Sequence, residues 1–457
     1  MMARLDDPRP RRRSFRRVLG AAIVAIGFLG VGLGLTTVAL SGLGQPSGGP
    51  DAATLTTLSA SIPPPESPSP SIALIPIPTP TPTPTAEPGP TLAETRAIAR
   101  RVRLQVELDT VRARLGIPGV SVTIIFSDGS SWIGTSGRAD VAGKQRVAPD
   151  TAFALASVSK TYTAALILSL VRDGRIDLDA PAVTYIPGTA LDPRITVRQL
   201  LDHTSGLDDF FLHTPIDKAL QADPDAFWSV KRTLKYVGKP YFPPGRGWHY
   251  SNTNYLYLGL IAERVTGTPI ATALRERFFG PLDLDATWYQ AVEKPRGPLA
   301  HGYRFVGPKL SSPPIDLSAK SPVAPFRSVV TAAGGAGSIA ATSADAARWG
   351  RLLYTGEVLG PAMTAQMLEG VAFTAAYSPR VPYGLGVQAF PIGGRLAVGH
   401  SGRLLGFRSA VRHLLEENVT IAVLTNQSRA DPAVIVADLL SIVFEPEPPC
   451  VRCAKPL

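Results

Sequence analysis

From Val18 to Leu40 the chain runs 23 residues without a charge, and beyond it 14 of the 45 residues from 46 to 90 are proline. The two stretches leave little freedom in how the chain can be organised. A helix over the first covers about 34 Å, enough to cross a hydrocarbon core of roughly 30 Å. The second includes the run Pro76-Ile77-Pro78-Thr79-Pro80-Thr81-Pro82-Thr83-Pro84. Proline has no N–H to donate to helix or ladder, so this stretch extends in polyproline geometry at about 3.1 Å per residue. A folded core therefore has to come from residues 92–445. The reading is a basic tail at 1–17, a transmembrane helix at 18–40, a disordered Pro/Thr/Ser-rich linker at 41–91, a globular domain at 92–445 and a tail at 446–457.

The charge pattern orients this arrangement. Arg4, Arg9, Arg11, Arg12, Arg13, Arg16 and Arg17 precede the apolar run, against Asp6 and Asp7, so half of the net charge of +10 sits in a 17-residue tail. Arginines on that side keep the amino terminus in the cytoplasm and send the rest across a cell membrane as a single-pass protein. A cleaved signal peptide is the competing reading, with Ala39 and Ser41 as a small-x-small cleavage pattern. Arg12-Arg13-Ser14-Phe15 is open both to a twin-arginine export signal and to a plain basic flank. Either way the domain is expected outside the cytoplasm, membrane-anchored or secreted, on a semi-rigid stalk suited to cell-envelope association. The remaining charge is an ordinary surface, and no nucleic-acid partner is indicated. Cys450 and Cys453 close the chain in a Pro/Glu-rich tail. They suggest a small disulfide loop, because two ligands fall short of the four that structural zinc wants.

Within 92–445 the periodicity reads as an α/β domain. A helix is expected from Leu92 to Leu115, ended by Gly116 and Pro118. Val120, Val122, Ile124 and Phe126 alternate, Asp128-Gly129 supplies a hairpin turn, and a return strand starts at Trp132. The far end mirrors this, with strands at Arg395–Gly399, Phe407–His413 and Val419–Thr425 and a helix near Ala433–Val443. Both ends thus build one antiparallel sheet flanked by helices, and a mostly α-helical region is inserted between them.

The search for chemistry begins with exclusions: the chain has no His-Glu-x-x-His, no Walker loop and no Gly-x-Ser-x-Gly elbow. No metal and no cofactor is expected. What stands out is Ser157-Val158-Ser159-Lys160 ahead of a long apolar helical run. A serine at a helix start caps the helix and sets its own N–H at the positive end of the dipole, where an oxyanion can be held. A lysine three residues on shares the helical face, and burial would turn it into a base. Tyr250-Ser251-Asn252 follows 93 residues after Ser157, and His400-Ser401-Gly402 comes 150 residues after Tyr250 at the end of an expected strand. Each tripeptide occurs once.

On these motifs the sequence resembles the serine β-lactamase and penicillin-binding-protein superfamily, nearest its class C β-lactamase-like branch of esterases and D-amino-acid peptidases. The resemblance also covers Gly174 to Pro181, Leu200-Leu201-Asp202-His203-Thr204-Ser205-Gly206-Leu207, Ala333-Gly334-Gly335 through Arg348, and Tyr383-Gly384-Leu385-Gly386. It implies a nucleophile, Ser157, that forms an acyl-enzyme. Lys160 and Tyr250 would share the acid–base work, Tyr250 passing the proton to the leaving group. Asn252 would orient Lys160 and a substrate carbonyl. The strand with His400, Ser401 and Gly402 would line the cleft edge, and the N–H of Arg403 would join that of Ser157 as the oxyanion hole. His203 reads as a turn-stabilising residue, and Asp208, Asp209, Glu263 and Arg264 as solvated surface.

The sequence departs from the family in one place. The penicillin-hydrolysing branches carry Lys-Thr-Gly where this chain has His-Ser-Gly. A lysine keeps its charge at pH 7, whereas histidine is mostly neutral. For a carboxylate about 4 Å away, that charge is worth up to ~4 kcal/mol before solvation losses. The expectation is an extracytoplasmic serine hydrolase of esters, amides or D-amino-acid peptides that turns over penicillins poorly. The alternatives are a true β-lactamase or D,D-carboxypeptidase, and a non-catalytic envelope-tethered binding or sensor protein.

Overall fold

Thr91 opens the first helix through a reciprocal capping box, its side chain accepting from the Glu94 N–H while the Glu94 carboxylate takes the Thr91 N–H. The computed structural model describes residues 91–305, 314–318, 323–370 and 382–445. The expected tail at 1–17, the span at 18–40, the linker up to residue 90 and the tail with Cys450 and Cys453 lie outside the described residues. Among the described residues no helix is long and apolar enough to cross a membrane.

In chain order the elements that matter are α1 (Leu92–Arg114), β1 (Gly119–Ile125), β2 (Ser131–Asp140), β3 (Gln145–Arg146), α2 (Ser159–Arg172) and α3 (Asn252–Thr266). They continue with α4 (Ser343–Tyr354), β4 (Gln388–Ile392), β5 (Arg395–Leu404), β6 (Phe407–Leu414), β7 (Val419–Thr425) and α5 (Pro432–Val443). The seven strands form one antiparallel sheet in the order β3-β2-β1-β7-β6-β5-β4, with the first and last parts of the domain meeting at the β1–β7 pair.

Alternation assigns the two faces. Val120, Val122 and Ile124 of β1 and Ile421 and Val423 of β7 pack with Leu104, Leu108 and Val111 of α1 and with Ile435 and Leu439 of α5. The intervening Ala422 and Leu424 join the other core, which holds Leu166 of α2, Leu258 of α3 and Trp349 of α4. Burying each large apolar side chain there contributes about 1.5–3 kcal/mol. Trp349 stacks on Tyr162 of α2 at 4.0 Å, and its indole N–H donates to Thr161 Oγ1 at 2.9 Å.

β5 runs five residues past the strand expected to end at Gly399, and so carries His400-Ser401-Gly402 within it. The polar-glycine tripeptide breaks the apolar pattern, but pairing continues to Leu404 opposite Phe407, closed by the two-residue turn Leu405-Gly406. Gly406 supplies the positive φ, 76°, that such a turn needs.

Candidate active site

Ser157 sits on a turn held from two sides. The N–H of Leu155 donates to the Ile339 carbonyl at 2.9 Å, and Ser409 Oγ of β6 donates to the Leu155 carbonyl at 2.7 Å. Ala156 between them takes a left-handed φ of 50°, a conformation costing a residue with a Cβ roughly 1–2 kcal/mol. The chain then makes one 3₁₀ turn, Ala156–Val158, before α2 begins at Ser159. Ser157 therefore does not cap the helix by its side chain, as its position in the sequence suggested. Its oxygen belongs to Lys160.

Lys160 is fully buried, and its Nζ has three oxygen neighbours: Ser157 Oγ at 3.1 Å, Asn252 Oδ1 at 2.7 Å and the Ala336 carbonyl at 3.0 Å. Desolvation pushes the amine well below the usual lysine range, opposed by the charge of Asp209. The amide and carbonyl oxygens can only accept. A neutral amine that donates to both has its lone pair left for the Ser157 hydroxyl, the arrangement a base needs.

Asn252, the first residue of α3, reaches Lys160 with its amide oxygen, while its Nδ2 faces the Asp209 carboxylate at 2.9 and 3.2 Å. One of the two N–H donors of this nitrogen is thus committed within the protein. The expectation of a solvated Asp208-Asp209 pair is wrong: their exposures are 3% and 4%. Asp208 accepts from the Gly238 N–H at 2.6 Å and from His213 at 2.5 Å, partners that hold its carboxyl below the usual range despite burial. In Asp209 burial dominates and pushes the pKa up. A hint lay in the sequence, where Phe210-Phe211-Leu212 directly after the pair draws the turn inward. The partner that makes Asp209 matter is 43 residues away.

The ring of Tyr250 lies 4.9 Å from Lys160 Nζ, among the rings of His203 (4.4 Å), Tyr383 (6.2 Å) and His400 (6.3 Å). Hydrogen bonds fix the protons behind it. The Ser251 N–H donates to His203 Nδ1 at 3.2 Å, which puts the His203 proton on Nε2, 3.2 Å from the Tyr383 hydroxyl. At the far end His400 Nδ1 donates to the Ser401 carbonyl at 2.7 Å, so its Nε2 accepts from Tyr383 at 3.0 Å. Both histidines are buried and neutral. Desolvation pushes His400 down to about 3 and His203 well below the ordinary value. His203, at φ 66°, also joins the turn to α3 through Asn254 Nδ2 at 2.9 Å.

β5 meets the turn bearing Ser157 at Gly402. A Cβ there would stand 2.2 Å from the Leu155 carbonyl oxygen and 2.2 Å from Ser409 Oγ, so only glycine lets the strand come this close. The next residue, Arg403, is opposite Arg408, one step from the Leu404–Phe407 pair that closes the hairpin. Ladder bonds alternate in an antiparallel pair, so the Arg403 N–H points away from β6. Pairing with β4 ends at Gly399, leaving that edge of β5 open beside Ser157. Ser401 points to the other face, where buried Arg412 donates to its Oγ at 2.6 Å and to the His400 carbonyl at 2.8 Å.

The arrangement thus brings a hydroxyl and a desolvated amine together beside the ring of Tyr250 and the open edge of β5, surroundings in which acyl transfer can be carried out. Among the described residues Asp140, His301 and Asp316 gather potential metal-ligating atoms, but His301 Nδ1 already bonds Asp316 at 2.8 Å, and the trio belongs to the end of β2 and the hairpin formed by Tyr303–Arg304 and Ile315–Asp316.

Residues 107–441 match the family described as Beta-lactamase. The chain is 30% identical over 338 residues to penicillin-binding protein 4 of Amycolatopsis lactamdurans, covering 70% of this chain and 84% of that protein. It is 25% identical over 350 residues to the D-aminopeptidase of Brucella ovis, covering 74% of this chain and 62% of that longer protein. Among solved structures, the D-amino acid amidase from Ochrobactrum anthropi complexed with L-phenylalanine amide superposes with a TM-score of 0.64 at 26% identity, over 76% of this chain and 98% of that one.

Proposed function

The chain belongs to the Beta-lactamase family, and from this and the surroundings of Lys160 we propose that it is a serine hydrolase. It would cleave esters, amides or D-amino-acid peptides through an acyl-enzyme on Ser157. The observation that carries the reading is the Lys160 amine, buried, pinned by two acceptors and 3.1 Å from Ser157 Oγ.

In this reading Ser157 Oγ attacks the substrate carbonyl carbon as its proton passes to Lys160 Nζ. The oxyanion is taken by the N–H groups of Ser157 and Arg403, each such donor contributing roughly 10²–10³-fold. Tyr250, beside Lys160, relays the proton to the departing amine or alcohol as the carbonyl–heteroatom bond breaks. Water then attacks the acyl carbon and gives a proton to the same base, the bond from the acyl carbon to Ser157 Oγ breaks to release the carboxylic acid, and the base returns the proton to Oγ.

Amide and D-amino-acid substrates are favoured by the amidase and D-aminopeptidase relatives. Neutral His400 supports weak demand for a substrate carboxylate, since it supplies no charge where the family's lysine would. Arg412, which contacts this tripeptide, is committed to Ser401 Oγ and to the carbonyls of His400 and Val411. The arginine-flanked apolar run at 18–40 favours a membrane-tethered domain outside the cytoplasm.

A fluorophosphonate probe tests the chemistry. The full chain in detergent should label at Ser157 and Ser157→Ala should not, whereas a non-catalytic binding protein of the same fold gives no Ser157-dependent adduct. A panel of p-nitrophenyl esters, D-amino-acid amides and a chromogenic cephalosporin then tests the substrate class. Cephalosporin hydrolysis much faster than ester or amide hydrolysis would refute the carboxylate argument.

A further inference from the structure

Asn252 has two chemically opposite ends, and the site depends on which of them meets Lys160. The oxygen does, at 2.7 Å. What fixes that orientation is on the other side, where Nδ2 lies 2.9 and 3.2 Å from the two oxygens of Asp209. Turned over, the amide would set its oxygen against a carboxylate and its NH₂ against an amine that already donates elsewhere. Asp209 is itself held, accepting from the Phe211 N–H at 3.1 Å at the head of the 3₁₀ turn Phe210–Leu212. It is 4% exposed, and no role was assigned to it on sequence grounds.

We propose that Asp209 is a positioning residue of the hydrolytic site: it locks the Asn252 amide so that its nitrogen faces the carboxylate and its oxygen is committed to Lys160. This rests on the Ser157 hydrolase reading and adds to it a group outside the Ser-x-x-Lys, Tyr-Ser-Asn and His-Ser-Gly motifs.

The carboxylate also acts by charge. The groups turned toward Lys160 are Asp209, which favours its protonated form, the neutral His203 and His400, and the rings of Tyr250 and Tyr255 at 4.9 and 5.4 Å. Removing the Asp209 charge lowers the proton affinity of Lys160, so the acidic limb of the reaction moves to lower pH. Placing a carboxylate directly on Lys160 does the reverse.

The test is the rate of fluorophosphonate labelling of Ser157 against pH, which reads activation of the nucleophile without knowledge of the natural substrate. Asp209→Asn should lower the plateau rate about tenfold or more and shift the acidic limb down by about one pH unit. The exchanged pair, Asp209→Asn with Asn252→Asp, keeps a hydrogen bond between the two positions and should shift the limb the other way. Opposite shifts are not expected of a residue that merely supports the fold, and the double variant keeps the test alive if the single one folds poorly. Unmoved limbs in a labelled protein overturn the assignment of Asp209 alone. A wild-type chain unlabelled at Ser157 overturns the hydrolase reading with it.

Discussion

The two faces of the central sheet are built from the same strands, and one is apolar where the other mixes apolar core with polar contacts. Toward α1 and α5 the strands present Val120, Val122, Ile124, Ile421 and Val423, which meet leucines, isoleucines and valines. Toward α2, α3 and α4 the apolar Ala422 and Leu424 alternate with Ser121, Thr123, His400 and Gly402 on neighbouring strands, and the groups these last four meet are a serine, a tyrosine and a backbone carbonyl. Contacts of the first kind are non-directional and shared among many neighbours, so one can be weakened without aiming the others wrongly. Contacts of the second kind each have a named partner at hydrogen-bond distance, and losing one leaves a buried polar group misaimed or unsatisfied. One face only holds the domain together, and the other does so while also carrying the polar contacts around Ser157.

The sharpest way to break this division is at Lys160. Lys160→Met keeps the length and apolar stem of the side chain and removes the amine. The rate of Ser157 labelling and the kcat/KM on any substrate the panel identifies should both fall by about 10³-fold or more, while circular dichroism at 25 °C still shows a folded protein. A loss of fold in step with activity would mean that the polar face is as structural as the apolar one.

The apolar face should answer in the opposite way. Leu439 of α5 is fully buried among the residues of that core. Leu439→Ala should cost about 2–5 kcal/mol of unfolding free energy, the transfer term plus the cavity left behind. Measured by urea denaturation, that loss should come with kcat/KM of the folded protein unchanged within about twofold. A large drop in kcat/KM at temperatures where the variant is folded would show that the terminal helices position the site as well as support it.

The apolar half of this comparison was open to sequence reading because period-two alternation is a local signal. Val120-x-Val122-x-Ile124 and the turn at Asp128-Gly129 announce β1 and β2 without reference to anything distant. Ser157 and Lys160 were legible for a similar reason, since three residues of helix bring a hydroxyl and an amine together whatever the rest of the fold does. Asp209 was not, because an acidic pair after Gly206-Leu207 looks like a solvated turn until Asn252 arrives from α3. His400 lies within the strand that the periodicity announces, but its protonation state was hidden. Only burial against Tyr383, from a segment quoted for its resemblance and given no role, makes it a neutral link in a hydrogen-bonded chain.

The mildest test separates polarity from catalysis on the polar face itself. Ser343, in the first turn of α4, has its Oγ 2.8 Å from both Ser121 Oγ and Thr123 Oγ1 of β1. All three hydroxyls are buried, and β1 is three strands away from β5 in the sheet. Ser343→Ala strips two hydroxyls of a common partner and should cost about 1–3 kcal/mol of stability. If register on this face matters only where β5 meets the turn bearing Ser157, kcat/KM should stay within about twofold of the parent. A fall of tenfold with the fold intact would mean that α4 transmits its seating on β1 to Ser157. The route would be Trp349 of α4, whose contacts with Thr161 and Tyr162 lie one and two residues beyond Lys160. The catalytic half of the comparison would then extend across the whole polar face, not just the edge strand.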